Sequence, residues 1–173
     1  MGSHALQLIT RGTVPTLVSK HMVEYESSGE MVTCLNDKIF QRPLFATDWS
    51  EPSSRALELL SSLKNVVDTV SVCHIIGVKI SKDIDKSGLH LLEKESRERL
   101  ARHCERLTAA GIPAAPHLGA GRSVLEIIRI ARETHATMIM MGTTGKDRLH
   151  EFFLGSNSHR VAEASELPTL LVP

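Results

Sequence analysis

Residues 138–158 read M-I-M-M-G-T-T-G-K-D-R-L-H-E-F-F-L-G-S-N-S, and the predicted fold is organised around them. The apolar run at 138–141 predicts a short buried strand that ends at Gly142. Gly145 follows three residues later, and Gly155-Ser156 opens a predicted helix after nine more residues. Glycine lets a backbone approach an anion closely, and free N–H groups in a turn or at a helix N-terminus attract one. The stretch therefore predicts a cradle for a phosphate chain, with a spacing unlike that of the P-loop or of G-x-G-x-x-G.

The composition of the 173 residues is that of an ordinary globular domain, 42% hydrophobic and 23% charged. The formal net charge is zero and only 3% of residues are aromatic, so we expect no nucleic-acid partner. No apolar run reaches the roughly 20 residues that cross a bilayer, and no signal peptide opens the chain. These features predict a cytoplasmic protein without membrane attachment.

The cysteines and histidines predict neither a disulfide framework nor a metal site. Cys34, Cys73 and Cys104 are far apart and form no C-x-x-C pair. The nine histidines occur singly along the chain, without the clustered ligands that a metal requires.

Strands and helices alternate along the chain from about residue 38. The predicted strands are residues 43–46, 70–78, 112–118, 137–141 and 168–172, and the predicted helices are residues 50–63, 89–110, 123–134 and 156–164. Residues 79–88 are predicted as a loop, Gly111 as a helix C-cap and Gly119–Gly121 as a tight turn. Pro113 and Pro116 place the third strand near a sheet edge. The pattern predicts an α/β fold, with an open, mostly parallel, Rossmann-like sheet of five strands and helices on both faces.

Several polar or flexible positions follow the carboxyl ends of the predicted strands. Asp48 follows the first, residues 74–77 end the second, and Gly142 follows the fourth. Ligands of open α/β sheets bind at this edge, near the point where the strand order reverses. The sequence therefore predicts a ligand site there.

Three groups of motifs give the chain a family resemblance. F-A-T-D-W-S-E at 45–51 is similar to the opening of universal stress proteins, and M-G-T-T-G-x9-G-S at 141–156 matches that family's nucleotide signature, Gly-x2-Gly-x9-Gly-Ser/Thr. C-H-I-I, A-A-G-I-P and G-A-G-R-S-V-L-E-I-I lie between them in the family's order. The resemblance covers roughly residues 38–173, and its glycine spacing is that of the ATP-binding branch. It implies an adenine nucleotide alpha hydrolase-like fold.

The resemblance also implies a set of nucleotide-binding residues. Ala46, Thr47 and Asp48 would line the adenine and ribose pocket, Ile75 would pack against the base, and Met141 and Gly142 would hold the ribose side. Gly145, Gly155, Ser156 and Asn157 would hold the phosphates, with Lys146 and Ser158 as further phosphate contacts. The family more often has proline at position 46 and phenylalanine at position 49, where this chain has Ala46 and Trp49. Neither difference removes a polar group that the site needs.

Several of these positions also have a purely structural interpretation. In that interpretation Asp48 or Ser156 is simply a helix cap, the glycines are turn residues, and His74 is a hydrogen-bonded strand residue. Lys146 would then belong to a solvated loop.

The function implied by the resemblance is a stress-response or signalling module. It would bind ATP or AMP, optionally with Mg²⁺, act as a homodimer, and order the loop at 143–154 when the nucleotide is bound. No positioned nucleophile or base is recognisable, so at most slow ATP hydrolysis is expected, and we assign no catalytic residue. Two alternatives stay open. One is a nucleotide-hydrolysing or adenylyl-transferring enzyme of the same superfamily, and the other is an interaction domain without nucleotide. The protein partner is unknown.

The N-terminal residues repeat the end of the chain. G-S-H-A-L-Q-L-I-T-R-G-T-V-P-T-L-V at 2–18 aligns with G-S-N-S-H-R-V-A-E-A-S-E-L-P-T-L-L at 155–171. We expect residues 1–36 to be the closing helix and strand of a preceding repeat plus a linker, and residues 37–173 to be a complete domain. The alternative is an expression-vector remnant with a coincidental match. The repeat predicts that Val14–Val18 forms a strand at a sheet edge, in this chain or in a partner.

Overall fold

The computed structural model describes residues 13–19, 23–25, 31–33, 38–78, 85–143 and 156–173. The strands in these residues are β1 (Thr16–Val18), β2 (Val23–Tyr25), β3 (Met31–Thr33), β4 (Pro43–Ala46), β5 (Val70–Gly77), β6 (Ala114–Gly121), β7 (Met138–Gly142) and β8 (Thr169–Val172). The helices are α1 (Glu51–Ser62), α2 (Lys86–Ala109), α3 (Ser123–Glu133) and α4 (Ser156–Ala164). Among the described helices, none is long and apolar enough to cross a membrane.

The main sheet has six strands in the order β1-β8-β7-β4-β5-β6. β4 to β8 run parallel to their neighbours, whereas β1 is antiparallel to β8. β2 and β3 pair with each other in a separate two-stranded sheet. The predicted open, mostly parallel α/β sheet is confirmed, but five strands was an undercount. Residues 16–18 add the sixth strand at the edge, as predicted from the repeat.

Each face of the sheet has its own core, because successive strand residues point to opposite faces. Phe45 and Met140 lie in the core beneath α1 and α2, which we call the α1–α2 face. Leu44, Ile139 and Met141 lie in the core beneath α3 and α4, the α3–α4 face. All five side chains are at most 7% exposed, so these strands are buried on both sides, as continuous apolar runs predict.

Two predicted boundaries were wrong by three residues. α2 begins at Lys86, three residues before the predicted start, because the Asp85 side chain caps it by accepting from the Gly88 N–H at 2.8 Å. β6 continues through the predicted turn to Gly121, since it stays paired with β5 as far as the Gly77–Gly121 pair. Two other predictions are confirmed. Gly111 ends α2 with φ of +93°, and β6 lies at the sheet edge.

Candidate functional site

The carboxyl ends of β4 and β7 meet at the point where the strand order reverses. The chain passes from β4 to β5 on one side and later returns to β7 on the other side of β4. Ala46 and Met141 are register partners in this parallel pair. The predicted site residues at the ends of the two strands are therefore adjacent, in the kind of crevice where open α/β sheets bind ligands.

Thr47 is the most heavily hydrogen-bonded of these residues. Its backbone N–H donates to the Cys73 carbonyl at 2.9 Å, and its own carbonyl accepts from His74 Nδ1 at 2.8 Å. The hydroxyl oxygen accepts from Ser53 Oγ at 2.7 Å and from the Trp49 N–H at 3.2 Å. Thr47 is 5% exposed, so its main role in this structure is to fix the turn that follows β4. The interpretation of His74 as a hydrogen-bonded strand residue is also confirmed.

Asp48 is exposed at the tip of this turn. Its Oδ1 accepts from the Ser50 N–H at 3.0 Å, which holds the carboxylate in an Asx turn. The cap of α1 is Ser50, whose Oγ accepts from the Ser53 N–H at 3.3 Å. The helix-cap interpretation of Asp48 is therefore wrong. The structure leaves an exposed carboxylate at the carboxyl end of the sheet.

An aromatic and cationic cluster supports the same turn from the α1–α2 face. Trp49 has φ of +66°, and its ring centroid lies 4.6 Å from that of His74 and 5.2 Å from that of His103. The Arg99 guanidinium lies 5.7 Å from the centroid of the indole ring. Burial is the main cause that lowers the pKa of His103, and the charges of Arg106, Arg102 and Arg99 add to it.

The sequence reasoning gave no role to His103 or Arg99 in this cluster. Their spacing of four residues on α2 was the available signal, because it places both on one helix face. Nothing local to α2, however, indicates that this face meets Trp49.

On the α3–α4 face, the predicted apolar contacts lie on one surface. Ala46, Met141 and Ile75 belong to or pack against the same core. Ile75 is half-buried on β5, opposite Gly119 of β6. A Cβ at Gly119 would lie 2.7 Å from Ile75 Cδ1, so the absence of a side chain there makes room for Ile75. The sequence reasoning took Gly119 only as part of a turn.

Gly142 has a packing role in addition to its predicted ligand role. A Cβ there would lie 2.8 Å from the Ser53 nitrogen and 2.9 Å from the Pro52 carbonyl carbon. Only a residue without a side chain therefore lets the N-terminus of α1 approach the end of β7 this closely.

The N-terminus of α4 is attached to the end of β7. Thr143 donates its N–H to the Val172 carbonyl at 2.8 Å, and its own carbonyl accepts from Ser158 Oγ at 2.8 Å. Ser158 is 3% exposed, so its hydroxyl serves this attachment, whereas Asn157 is exposed. Ser156 is the first residue of α4, as predicted. The other three predicted phosphate residues, Gly145, Lys146 and Gly155, lie outside the described residues.

A helix N-terminus and an exposed carboxylate thus flank an apolar surface. The helix end can stabilise an anion, the carboxylate can accept hydrogen bonds from a sugar or base, and the apolar surface can pack against a ring. Within the described ranges, no group of three histidine, cysteine or acidic side chains could hold a metal ion.

Comparison with known proteins agrees with this geometry. Residues 40–173 match the Universal stress protein family, and because that is most of the chain, the chain belongs to this family. Universal stress protein YxiE of Bacillus subtilis is 28% identical over 155 residues, which cover 78% of this chain and 99% of YxiE. The structure of MJ0577 from Methanocaldococcus jannaschii is similar with a TM-score of 0.70 and 27% identity, over 78% of this chain and 96% of that one.

Two structures of similar fold contain adenine nucleotides. One is a universal stress protein from Archaeoglobus fulgidus in complex with dAMP, with 19% identity and a TM-score of 0.57 over 78% of this chain and 99% of that chain. The other is a universal stress protein in complex with cAMP, with 22% identity and a TM-score of 0.59 over 78% of this chain and 98% of that chain. At these identities the likeness shows a shared fold.

A further similarity extends to the N-terminal region. A universal stress protein from Archaeoglobus fulgidus has a TM-score of 0.70 and 24% identity, and the match covers 99% of this chain but 55% of that chain. The fold of a longer protein therefore accommodates nearly all of this chain, including residues outside the family match.

Proposed function

We propose that this protein is a universal stress protein of the ATP-binding branch that binds ATP or AMP at the carboxyl ends of β4 and β7. The observation that carries the proposal is the convergence of Asp48, the apolar surface at Ile75 and the N-terminus of α4 at the reversal of strand order. The dAMP and cAMP complexes of similar fold support an adenine nucleotide as the ligand.

The roles of the residues follow from their chemistry. The exposed Asp48 carboxylate accepts hydrogen bonds from the ribose or base, Ala46 and Ile75 pack against the adenine ring, and Met141 lies on the ribose side. Gly142 lies on the ribose side, and Gly145, Gly155, Ser156 and Asn157 form the phosphate cradle with Lys146. Thr47 and Ser158 act mainly by holding this frame, given their internal hydrogen bonds.

We infer a binding module rather than an efficient enzyme. The protein acts as a cytoplasmic homodimer, and binding of the nucleotide changes the surface that a protein partner recognises. ATP is hydrolysed slowly at most. Mg²⁺ accompanies the triphosphate. The loop at 143–154 starts at Thr143, which is fixed by hydrogen bonds of both its N–H and its carbonyl. Nucleotide-dependent ordering of this loop would give partners a switched surface. Limited proteolysis with and without ATP tests this, and equal cutting rates would exclude the switch.

Isothermal titration of ATP into matched variants tests the site itself. Asp48→Asn keeps a side-chain oxygen for the Asx turn but removes the charge. Hydrogen bonds to charged groups contribute roughly 1.5–3 kcal/mol, so we expect a loss of affinity of about tenfold or more. The control is Asp68→Asn, the same change at an exposed carboxylate that precedes β5, at the opposite end of the sheet. Equal affinities for the two variants would contradict the assignment of Asp48.

A further inference from the structure

Two glycines at the end of β6 leave space for one acidic side chain of α3. Gly119 and Gly121 are two residues apart on the strand, so both face the same side of the sheet. A Cβ at Gly121 would lie 3.3 Å from Glu126 Cγ and 3.7 Å from its Oε1, and a Cβ at Gly119 would lie 3.6 Å from its Oε2. The Glu126 carboxylate therefore lies over bare backbone at the carboxyl end of β6.

The same space joins this carboxylate to the apolar surface that is proposed to contact the adenine ring. The position that a Cβ would take at Gly119 is 2.7 Å from Ile75 Cδ1, in addition to its short distance from Glu126 Oε2. Ile75 on β5 is also the register partner of Gly119 on β6. Ile75 and Glu126 are therefore neighbours on the α3–α4 face.

Arg129 fixes the orientation of this carboxylate. Its Nε and Nη2 donate to Glu126 Oε2 at 3.1 Å and 2.8 Å, and its Nη1 donates to both carboxylate oxygens of Glu133 at 2.6 Å. The Glu126 side chain is 23% exposed, whereas those of Arg129 and Glu133 are 49% and 59% exposed. An ionised carboxylate has about four acceptor positions, so Glu126 can accept further hydrogen bonds from a ligand.

The strand order indicates which part of a nucleotide Glu126 would meet. Neighbouring strands follow the order β4-β5-β6, so Ile75 lies between Asp48, after β4, and Glu126, over β6. Two strand spacings of about 4.8 Å separate the two carboxylates by roughly 10 Å along the edge. A base that packs on Ile75, with its ribose at Asp48, therefore directs its far edge toward Glu126.

We propose that Glu126 determines the base specificity of the site by accepting a hydrogen bond from the exocyclic amino group of adenine. Arg129 is a positioning residue that holds the carboxylate for this contact. The inference rests on the proposed nucleotide site and extends it to α3. Adenine carries an amino donor at C6, where guanine carries a carbonyl acceptor. A carboxylate only accepts hydrogen bonds, so at this position it favours adenine over guanine.

The test compares two nucleotides that differ only in this amino group. AMP and purine riboside 5′-monophosphate, which lacks the amino group, are titrated by calorimetry into wild type and Glu126→Ala. Wild type should bind AMP about tenfold or more tightly than the purine analogue, as expected for a hydrogen bond to a charged group. Glu126→Ala should lose that preference while its affinity for the analogue stays the same. The ratio is taken within one variant, so a general loss of folded protein affects both nucleotides equally.

Three further variants separate the carboxylate from its surroundings. Glu133→Ala removes the other carboxylate bound by Arg129 and should keep the wild-type ratio. Arg129→Met leaves Glu126 in place but removes the group that holds it, so its ratio should fall between those of wild type and Glu126→Ala. Glu126→Gln keeps a neutral acceptor and should also give an intermediate ratio, which provides the measurement if Glu126→Ala does not fold.

The outcomes distinguish this inference from the nucleotide site on which it rests. A wild type that binds AMP and the analogue equally, or a Glu126 variant that keeps the full preference for AMP, would overturn the role of Glu126 and leave the nucleotide site standing. The same preference in Arg129→Met as in wild type would overturn the role of Arg129. If wild type binds neither nucleotide, the proposed function fails and this inference fails with it.

Discussion

The two faces of the sheet differ at the carboxyl end where the nucleotide is proposed to bind. On the α1–α2 face, Trp49 packs against His74 and His103, and Gly142 lies against the first turn of α1. On the α3–α4 face, Ile75 is half-buried beside Gly119. The first face is occupied by internal contacts, and the second presents an apolar side chain. For the proposed site, we therefore expect the first face mainly to support the turn after β4 and the second face to contact the adenine ring.

This division predicts that substitutions on the two faces have different effects. Changes on the α1–α2 face should lower the free energy of unfolding, whereas changes on the α3–α4 face should lower nucleotide affinity with little cost in stability.

The largest expected effect is that of Gly142→Ala on stability. The new Cβ would lie 2.8 Å from the Ser53 nitrogen, a backbone atom that cannot rotate away. We expect the free energy of unfolding to fall by about 3 kcal/mol, the upper part of the range for overpacking. Urea denaturation measures it. Gly77→Ala is the matched control, because a Cβ at the end of β5 meets nothing within 4 Å. Equal urea midpoints for the two variants would show that α1 does not press on β7.

A smaller effect is expected from Gly119→Ala on the other face, and mainly on ATP affinity. The new Cβ would lie 2.7 Å from Ile75 Cδ1, which is the end of a flexible side chain and can rotate. Holding Ile75 against the base with χ about 30° off its rotamer costs about 0.5–1.5 kcal/mol, so ATP affinity should fall about two- to tenfold.

The double variant Gly119→Ala/Ile75→Val sharpens this test. Valine lacks Cδ1, so the clash disappears and part of the affinity should return, an interaction between the two changes that titration calorimetry can measure. If the double variant binds ATP no better than Gly119→Ala, Ile75 does not contact the base.

The smallest expected effect concerns the pH dependence of stability and His103. Burial, followed by the charges of Arg106, Arg102 and Arg99, lowers the pKa of His103 from 6.5 in the folded state. The unfolded chain therefore binds the proton more readily. The stability that depends on the neutral ring is present above about pH 6.5 and is lost as the pH falls through the lowered folded pKa.

His103→Gln should therefore reduce the drop in melting temperature between about pH 7.5 and about pH 5.5. Burial also lowers the pKa of His117, so His117→Gln is the comparison variant and should reduce the drop independently. ATP affinity at neutral pH should be the same for His103→Gln and wild type, because His103 is on the supporting face. If the melting temperature of His103→Gln falls between these two pH values as much as that of the wild type, His103 does not contribute to the pH dependence of stability.

Much of the fold was predictable because its signals are local. The strands at 43–46 and 138–142 are continuous apolar runs, as strands buried on both faces must be. The place of Asp48 and Gly142 followed from topology, since carboxyl ends of parallel strands share an edge. The strand at 16–18 followed from the internal repeat.

The features that were missed depend on contacts between distant residues. Trp49 packs against His103, which lies 54 positions later in the sequence, and no sequence pattern near either residue predicts this contact. Gly142 was interpreted for its freedom to approach an anion, and only the packed structure adds its contact with Pro52 and Ser53. The start of α2 was missed because Gly88, a poor helix former, lies in its first turn.

The most direct test of the proposed nucleotide site is a crystal structure of the protein grown with AMP or ATP. We expect the adenine ring against Ile75 on the α3–α4 face, Asp48 within hydrogen-bond distance of the ribose or base, and the phosphates at the N-terminus of α4. A nucleotide stacked on Trp49 on the α1–α2 face, or bound away from the carboxyl ends of β4 and β7, would contradict it.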